Sequence, residues 1–171
     1  MRATTEGEHA QYLTFRVADA EYGVGILQVR EIIEYDTITR VPHAPPAVRG
    51  VLNLRGSVVP VVDLAVKFGL PESTITKRSC VVVVECVLDG ELTVMGVLCD
   101  AVSQVVDLTA DDIEPPPAFG SRVRIEFLRG MGKLGEGFVL LLDLDRLLST
   151  AEAAAATASV ATASMATAAV S

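Results

Sequence analysis

Residues 48–64 read Val48-Arg49-Gly50-Val51-Leu52-Asn53-Leu54-Arg55-Gly56-Ser57-Val58-Val59-Pro60-Val61-Val62-Asp63-Leu64, the most informative stretch of the chain. Two apolar runs flank Arg55-Gly56, and valine dominates both. Short runs of β-branched residues bounded by glycine and proline favour strands, so the stretch predicts two short strands joined at a glycine. Pro60 cannot donate to a ladder, so we expect its strand to offer an edge or a bulge.

Two polar side chains, Asn53 and Arg55, interrupt this apolar stretch. A buried guanidinium without a partner is costly, so each residue must find a partner in the fold or face an interaction surface. Glu31 is the third polar residue of interest. Glu31 and Arg55 could form an internal ion pair or turn bond that stabilises the first barrel, or they could contact a binding partner. The two roles are compatible.

Composition bounds the class of protein. Half of the 171 residues are hydrophobic, which is enough for a buried core, whereas aromatic residues make up 5 % and tryptophan is absent. A core of Val, Leu and Ile suits an all-β fold. Lys and Arg number 14 against 22 Asp and Glu, for a net charge of −8, and the basic residues are scattered. Phosphate-backbone binding is therefore disfavoured, and we expect no nucleic-acid partner.

Cysteine usage and the polar N-terminal arm indicate the compartment. Residues 1–11 contain no charged leader followed by an apolar core, so we expect neither secretion nor an N-terminal anchor. Cys80, Cys86 and Cys99 form no Cys-x-x-Cys pair and lie in apolar runs. This arrangement is typical of reduced, packed thiols and favours a cytoplasmic location.

Period-two alternation predicts further short strands along the chain. Asp89-Gly90 predicts a tight hairpin between two of them. Short helical turns are expected within 64–70 and 109–112, and residues 130–137 are expected to turn the chain. The other predicted strands cover residues 13–17, 22–26, 80–88, 91–99, 102–108, 122–127 and 138–142. Over residues 27–33 a strand and a single helical turn are both open, and we expect a short turn followed by a strand through Ile33 and Tyr35.

The chain also resembles itself. Arg49-Gly50 precedes Asp63-Leu64 by 14 positions, and Arg129-Gly130 precedes Asp143-Leu144 by the same 14. A second set of matches follows a shift of 73 and joins Gly23-Val24, Val29 and Ile32-Ile33 to Gly96-Val97, Val102 and Val105-Val106. Two similar halves of about five short strands each predict two related small barrels.

The central stretch also resembles a known family. Asn53 to Gly56, Pro60 to Leu64, and the preceding Pro42 and Pro45 are similar to the signature of the CheW family of chemotaxis coupling proteins. The resemblance runs from about Tyr12 to Leu148. It implies an all-β fold of two intertwined five-stranded SH3-like β-barrel subdomains, with short helices, a C-terminal helix and a hydrophobic groove between the barrels.

This resemblance also sets expected boundaries. We expect one domain over 12–148, with a first barrel over about 18–75 and a second over about 78–145. Residues 149–171 are rich in Ala, Thr and Ser and are expected to form a short helix and a disordered tail. Ser149-Thr150-Ala151-Glu152 has the form of a capping box.

No motif assembles a catalytic or metal site. Residues 130–135 match a dinucleotide fingerprint, but the next apolar run predicts a strand rather than the helix whose amides would hold a pyrophosphate. His9 and His43 have no Cys or acidic residue at ligand spacing. We therefore expect no enzyme activity, cofactor or metal. The alternative is a small nucleotide- or ligand-binding barrel that uses the Gly130 loop.

The resemblance instead implies an adaptor. Such a protein links the cytoplasmic tips of methyl-accepting chemotaxis receptors to the histidine kinase CheA, whose regulatory domain is CheW-like, and it joins ring assemblies at the inner face of the membrane without inserting into it. A coupler of a non-chemotactic receptor–kinase pathway is a further alternative. Receptor-binding candidates are Val29, Glu31, Arg55 and Val105; kinase-binding candidates are Pro117 and Phe119; the structural motif comprises Gly50, Asn53, Gly56, Pro60 and Asp63. Phe119 could equally fold back to plug the second barrel.

Overall fold

The computed structural model describes residues 9–35, 38–40, 42, 46–88, 90–115 and 127–148. Its strands are β1 (His9–Val17), β2 (Ala20–Gly25), β3 (Val29–Glu34), β4 (Val48–Leu54), β5 (Ser57–Asp63), β6 (Cys80–Leu88), β7 (Glu91–Cys99), β8 (Ala101–Thr109), β9 (Ile113–Glu114), β10 (Leu128–Leu134) and β11 (Gly137–Leu142). Its α-helices are α1 (Leu64–Lys67) and α2 (Leu144–Leu148), and 3₁₀ turns cover Ile26–Gln28 and Ala110–Asp112.

The strands form two sheets, as the all-β prediction requires. One sheet has six strands in the order β8-β1-β2-β11-β10-β9, and the other has five in the order β3-β6-β7-β5-β4. Neighbouring strands are antiparallel except for β2 with β11 and β5 with β7, which are parallel. The prediction of an all-β fold of two intertwined β-barrel subdomains with short helices is confirmed, although one sheet has six strands rather than the expected five.

Short connections close each sheet into a barrel. In the five-stranded sheet β3 is one edge and β4 the other, yet Thr39, five residues after Glu34, exchanges two 2.8 Å backbone hydrogen bonds with Val51 on β4. In the six-stranded sheet β8 ends at Thr109, and β9 at the opposite edge begins at Ile113. A connection this short brings the two edges together, so each sheet curls around its own interior.

The valine run of β6 shows how the core is divided. Val81 and Val83 pack inside the five-stranded barrel, whereas Val82 and Val84 point the other way, and all four are fully buried. Their outward partners form the largest apolar cluster, in which the hairpin β6–β7 packs on the hairpin β1–β2 of the other sheet. A strand buried on both faces explains the uninterrupted apolar run, and the shared cluster joins the two barrels.

The internal repeat is visible in the strand pairing. Val61 pairs with Gly96 in one parallel ladder, and Leu141 pairs with Gly23 in the other. The two sheet orders then coincide when β1, β2, β3, β4 and β5 are matched in turn with β6, β7, β8, β10 and β11. Each barrel therefore takes one hairpin from one half of the chain and its remaining strands from the other half.

This exchange corrects the expected barrel boundaries. The range 18–75 contains β2, which pairs in the six-stranded sheet, and the range 78–145 begins with β6 and β7, which pair in the five-stranded sheet. The sheets therefore do not follow the two sequential ranges. Hydrophobic alternation specifies which face of a strand is buried, but it does not specify the partner strand.

Glycines at equivalent positions permit a close approach in each barrel. A β-bulge lies between Val48 and Gly50 in one barrel and between Leu128 and Gly130 in the other. A Cβ atom on Gly50 would lie 2.4 Å from the carbonyl oxygen of Thr39, and one on Gly130 would lie 2.9 Å from that of Glu114. Both contacts are too short for any side chain, so both barrels require glycine here.

One local prediction was wrong. Gly130 and Gly132 lie inside β10, and the turn comprises only the two residues between Leu134 and Gly137. Of the two alternatives for Pro60, the edge is excluded because its strand lies between β4 and β7, whereas a β-bulge does lie next to it in the ladder with β4, opposite Val61 and Val62. Pro60 fits because the parallel ladder with β7 begins one residue later, at Val61, and because its β4 partner Val51 directs its backbone hydrogen bonds to Thr39.

Several predicted features lie outside the described residues. These are the strand expected over 122–126, Pro45, His43, Pro117, Phe119 and the tail over 149–171. Within the described part of the chain, no helix is long and apolar enough to cross a membrane.

Candidate docking surface

The turn between β4 and β5 presents Arg55 to solvent. Leu54 pairs with Ser57, which leaves Arg55 and Gly56 as a two-residue turn with φ values of 49° and 89°. Two positive φ angles in succession are typical of the tight hairpin turn that matches strand twist, and glycine is favoured there. The Asn53 side-chain oxygen accepts a 2.9 Å hydrogen bond from the Gly56 amide. Asn53 and Gly56 therefore hold the turn that carries Arg55.

Arg55 binds Glu31 through two hydrogen bonds. Its Nη1 donates to Oε1 of Glu31 at 3.2 Å, and its Nη2 donates to Oε2. Because Glu31 lies on the edge strand β3 and Arg55 follows the opposite edge strand β4, the pair spans the seam at which the barrel closes. The hydrogen bonds from Arg55 lower the pKa of Glu31, and the same contact raises the pKa of Arg55.

The pair remains accessible to a partner protein. The Arg55 side chain is 70 % exposed and that of Glu31 is 26 % exposed. Beside the pair, a cavity of about 250 Å³ lies between β3 and β4 and is lined mainly by apolar side chains, among them Ile33, Ile38 and Leu52. A charged group next to an apolar recess is a common arrangement in protein interfaces.

The second barrel has a two-residue hairpin turn at the equivalent place, with a positive φ at Gly135 only, and without this ion pair. Its β10–β11 hairpin also has a two-residue turn, which contains Gly135 at φ 61° and Glu136 in the places of Arg55 and Gly56. Gln104 on β8 occupies the place of Glu31. This barrel is closed by the same strand connections, so the fold itself does not require an arginine and a glutamate at the seam.

The receptor-binding candidates separate into two groups in the structure. Val29 lies on β3, two residues before Glu31, and is half-buried against the core shared by the two barrels. Val105 is 47 % exposed and lies on the edge strand β8 of the other sheet. The structure therefore joins Glu31 directly to Arg55, with Val29 nearby, and places Val105 on the other barrel.

Sequence reasoning missed an exposed counterpart of Val105. Ile32 on β3 is 43 % exposed, and the shift of 73 maps it onto Val105. The repeat already matched these two residues, but alternation alone gave no reason to expect both to be exposed. Each barrel therefore displays an apolar side chain on its edge strand.

Of the structural-motif residues, Asp63 belongs to a buried ion pair, whereas Asn53 and Gly56 hold the β4–β5 turn. Asp63 caps the N-terminus of α1 by accepting a hydrogen bond from the amide of Ala65, and it also accepts hydrogen bonds from the amide and the hydroxyl of Ser73. Its Oδ2 lies 3.3 Å from Nη1 of Arg49, and both side chains are buried. A buried carboxylate with this many donors is a structural element that fixes the loop after α1.

A large cavity lies at one end of the six-stranded barrel. Its volume is about 960 Å³, and its lining includes Leu108 and Ile113 together with Arg129 and Asp143. Leu27, on the 3₁₀ turn after β2, also lines it and is 96 % exposed.

The titratable groups offer little chemistry of their own. Burial raises the pKa of Cys86 to about 11 and that of Cys99 to about 12, so both thiols are protonated near neutral pH and are poor nucleophiles. Among the described residues, no group of three or more His, Cys, Asp or Glu side chains could hold a metal ion. Gly130 and Gly132 lie in a strand, and a second strand follows the turn, which is not the geometry of a phosphate loop.

The kinase-binding candidates are not placed by the structure. Pro117 and Phe119 lie outside the described residues, and the last described residue before them, Pro115, is exposed and directly follows β9.

Comparisons with known proteins assign the chain to a family. The profile of the CheW-like domain matches residues 11–152. A chemotaxis protein CheW from Klebsiella aerogenes is 40 % identical over 144 residues, which cover 84 % of each chain. A probable chemotaxis protein CheW from Rhizobium etli is 33 % identical over 91 % of this chain and 97 % of its own.

A solved structure agrees with these sequence matches. The crystal structure of the scaffolding protein TtCheW from Thermoanaerobacter tengcongensis superposes with a TM-score of 0.75 at 29 % sequence identity, and covers 85 % of this chain and 91 % of its own. Both the sequence profile and the barrel architecture therefore point to one group of scaffold and adaptor proteins. The chain belongs to the CheW-like domain family, and it is a chemotaxis adaptor rather than an enzyme.

Proposed function

We propose that this adaptor couples methyl-accepting chemotaxis receptors to the histidine kinase CheA, and that the receptor docks on the surface formed by Val29, Glu31 and Arg55. We call this the β3 surface. The observation that carries the proposal is the difference between the two barrels. They share strand order and two-residue hairpins, yet among the described residues an arginine and a glutamate meet at the seam of the first, at positions where the second has Gly135 and Gln104.

The β3 surface has the chemistry of a docking site. A guanidinium carries five N–H donors in a plane, and Glu31 engages only part of this set. The remaining donors face solvent at the tip of a rigid turn that Asn53 and Gly56 hold in place. A rigid arginine loses little conformational entropy when it binds, and it can accept a carboxylate or a carbonyl from a receptor helix.

An adaptor that catalyses no reaction can act by changing the relative populations of the kinase's conformations. A receptor and a coupler bound together favour the kinase arrangement to which they bind more tightly, and a receptor signal changes that preference. The proposed partners are the cytoplasmic tip of the receptor and the CheW-like regulatory domain of CheA. The complex then lies in the cytoplasm, at the receptor array on the inner face of the membrane.

The kinase contact is proposed on the second barrel. Three successive prolines, 115 to 117, are followed closely by Phe119, and such a loop presents a rigid apolar tip. Pro117 and Phe119 are therefore the candidates for CheA binding and ring assembly. Val105, on the edge strand of the same barrel, remains a candidate for an additional receptor contact.

Charge reversal at Arg55 tests the proposal. We expect Arg55→Glu to weaken receptor binding and kinase activation by about tenfold or more, because it removes an anchor and places two carboxylates side by side. Receptor retention and CheA autophosphorylation are measured with purified receptor arrays. Lys133→Glu is the matched control, because Lys133 pairs with Glu114 at 3.2 Å on the second barrel and is similarly exposed.

The two variants make the result decisive. Equal losses of receptor retention in Arg55→Glu and Lys133→Glu would show that only net charge matters for receptor binding. A folded Arg55→Glu protein that binds and activates at the wild-type level would remove the β3 surface from the proposal. Thermal unfolding of both variants verifies that the proteins compared are folded.

A further inference from the structure

Cys80 and Cys99 face each other across the β6–β7 hairpin. They are directly opposite residues in its antiparallel ladder, and both pack against the apolar cluster shared by the two barrels. The Sγ atom of Cys99 donates a hydrogen bond to the carbonyl oxygen of Cys80 at 3.5 Å. Burial and, after it, the neighbouring Cys80 thiol raise the pKa of Cys99. The two thiols are therefore close neighbours, and both are free.

The position of the pair suits a disulfide. Opposite residues of an antiparallel ladder have Cβ atoms about 4.5–5.5 Å apart, and a disulfide requires about 3.5–4.5 Å. Cys80 begins β6 and Cys99 ends β7, so the two residues form the last pair of this ladder. A small movement of the strand ends towards each other therefore disturbs no pair of the hairpin beyond them, and rotation about the Cα–Cβ bonds brings the sulfur atoms together.

The two thiols differ in their access to solvent. Cys80 is partly exposed, whereas Cys99 is 1 % exposed, so an oxidant in solution reaches Cys80 first. Burial raises the pKa of Cys80 as well, so little thiolate is present near neutral pH and the oxidation is slow. Cys86, the third thiol, is buried like Cys99 but lies opposite Thr93 rather than a cysteine. It therefore serves as an internal control.

We propose that Cys80 and Cys99 form a thiol oxidation site, which a hydroperoxide converts into a reversible cross-strand disulfide. The Cys80 sulfur attacks hydrogen peroxide, so that an S–O bond forms, the O–O bond breaks and water leaves. The Cys99 sulfur then attacks the sulfenic acid, which forms the S–S bond and releases a second water. This step is intramolecular, which offsets the low thiolate fraction of Cys99. In total, two thiols lose two electrons and two protons, and the peroxide becomes two waters.

Peptide mapping of the oxidised full-length chain tests the pairing and does not depend on the coupling role. The reduced protein is treated with hydrogen peroxide, the remaining thiols are alkylated in denaturant, and a protease that cuts after glutamate is added. Each cysteine then lies in a different peptide, and these are 73–85, 86–91 and 92–114. We expect the first and third peptides to be cross-linked, Cys86 to be alkylated, and free thiols to fall from three to one per chain. Dithiothreitol should restore all three thiols by thiol–disulfide exchange.

Serine variants separate the two steps. In Cys99→Ser, Cys80 should stop at the sulfenic acid, which dimedone traps, whereas in Cys80→Ser the buried Cys99 should stay reduced. Cys86→Ser is the matched control and should form the disulfide as the wild type does. The wild type alone suffices to overturn the proposal. A cross-link that includes Cys86, a cross-link between two chains, or three free thiols after a treatment that fully oxidises the urea-unfolded chain would each do so.

Discussion

Gly23 and Gly96 occupy the same position in the two barrels, each on the strand that forms the parallel ladder. Gly96 pairs with Val61, and Gly23 pairs with Leu141. A Cβ atom on Gly96 would lie 2.8 Å from Val81, and one on Gly23 would lie 3.1 Å from the terminal methyl of Leu141. Both barrels therefore have a glycine at this close contact, and the space for a side chain is smaller at Gly96 than at Gly23.

We expect Gly96→Ala to lower the free energy of unfolding by about 1–3 kcal/mol, because the Val81 and Val61 side chains around it are stiff and fully buried. Gly23→Ala should cost less, because leucine has more rotamers with which to move aside. Gly25→Ala is the control, since no atom lies within 4 Å of its added methyl group. Urea unfolding of the three variants measures the order, and a Gly23→Ala cost equal to that of Gly96→Ala would contradict it.

The buried ion pair of the first half gives a second prediction. Asp63 accepts four hydrogen bonds and is buried beside Arg49, so Asp63→Ala should destabilise the protein by about 3–5 kcal/mol. Asp143→Ala, at the equivalent position, should cost only about 0.5–1 kcal/mol, because Asp143 is partly exposed and accepts a 3.2 Å bond from the amide of Arg146 at the start of α2. Thermal or urea unfolding of both variants measures the difference. Similar losses would mean that burial does not distinguish the two sites.

The sequence predicted the strands and the repeat better than it predicted their partners. The β6–β7 hairpin lies where Asp89-Gly90 predicts it, with Leu88 opposite Glu91, because turn residues act locally. The assignment of β6–β7 to the five-stranded sheet depends on packing between hairpins that lie about 70 residues apart in the chain. Hydrophobic alternation along a strand does not depend on which sheet the strand joins, so it could not predict the barrel boundaries.

The candidate site shows the same division. Asn53, Arg55 and Gly56 could be identified from the sequence because polar residues and a glycine inside an apolar run indicate a turn, and the structure has a turn there. That Arg55 reaches Glu31 depends on barrel closure, which no spacing between residues 31 and 55 could reveal. Gly130 and Gly132 were misread as a turn, because a glycine needed for close packing in a strand looks the same in sequence as one needed for a turn.

The buried thiol of Cys99 should make the free energy of unfolding depend on pH in the alkaline range. Burial raises its pKa to about 12, whereas the unfolded thiol ionises near about 8.5. The contribution of the Cys99 thiol to the free energy of unfolding is therefore fully present below about pH 8.5. It is lost as the pH rises towards the pKa of the folded protein, because the unfolded chain then binds fewer protons than the folded one. Between pH 9 and pH 11, Cys99→Ala should make the fall of unfolding free energy with pH shallower by about 1.4 kcal/mol per pH unit. Urea unfolding across this range measures the slope. Identical slopes in the variant and the wild type would contradict the raised pKa of the buried Cys99 thiol.

The last prediction separates the two interpretations of Arg55 and Glu31. The double variant Arg55→Glu with Glu31→Arg recreates the ion pair across the barrel seam with its charges exchanged. If the pair served only to close the barrel, this swap would restore receptor binding lost in Arg55→Glu. We expect instead that it restores thermal stability without restoring receptor binding or kinase activation, because a docking partner meets a carboxylate where the guanidinium stood. Receptor retention and melting temperature are measured on the same samples, with each single variant beside the swap. Recovery of both properties together would show that the ion pair is structural and that the receptor docks elsewhere.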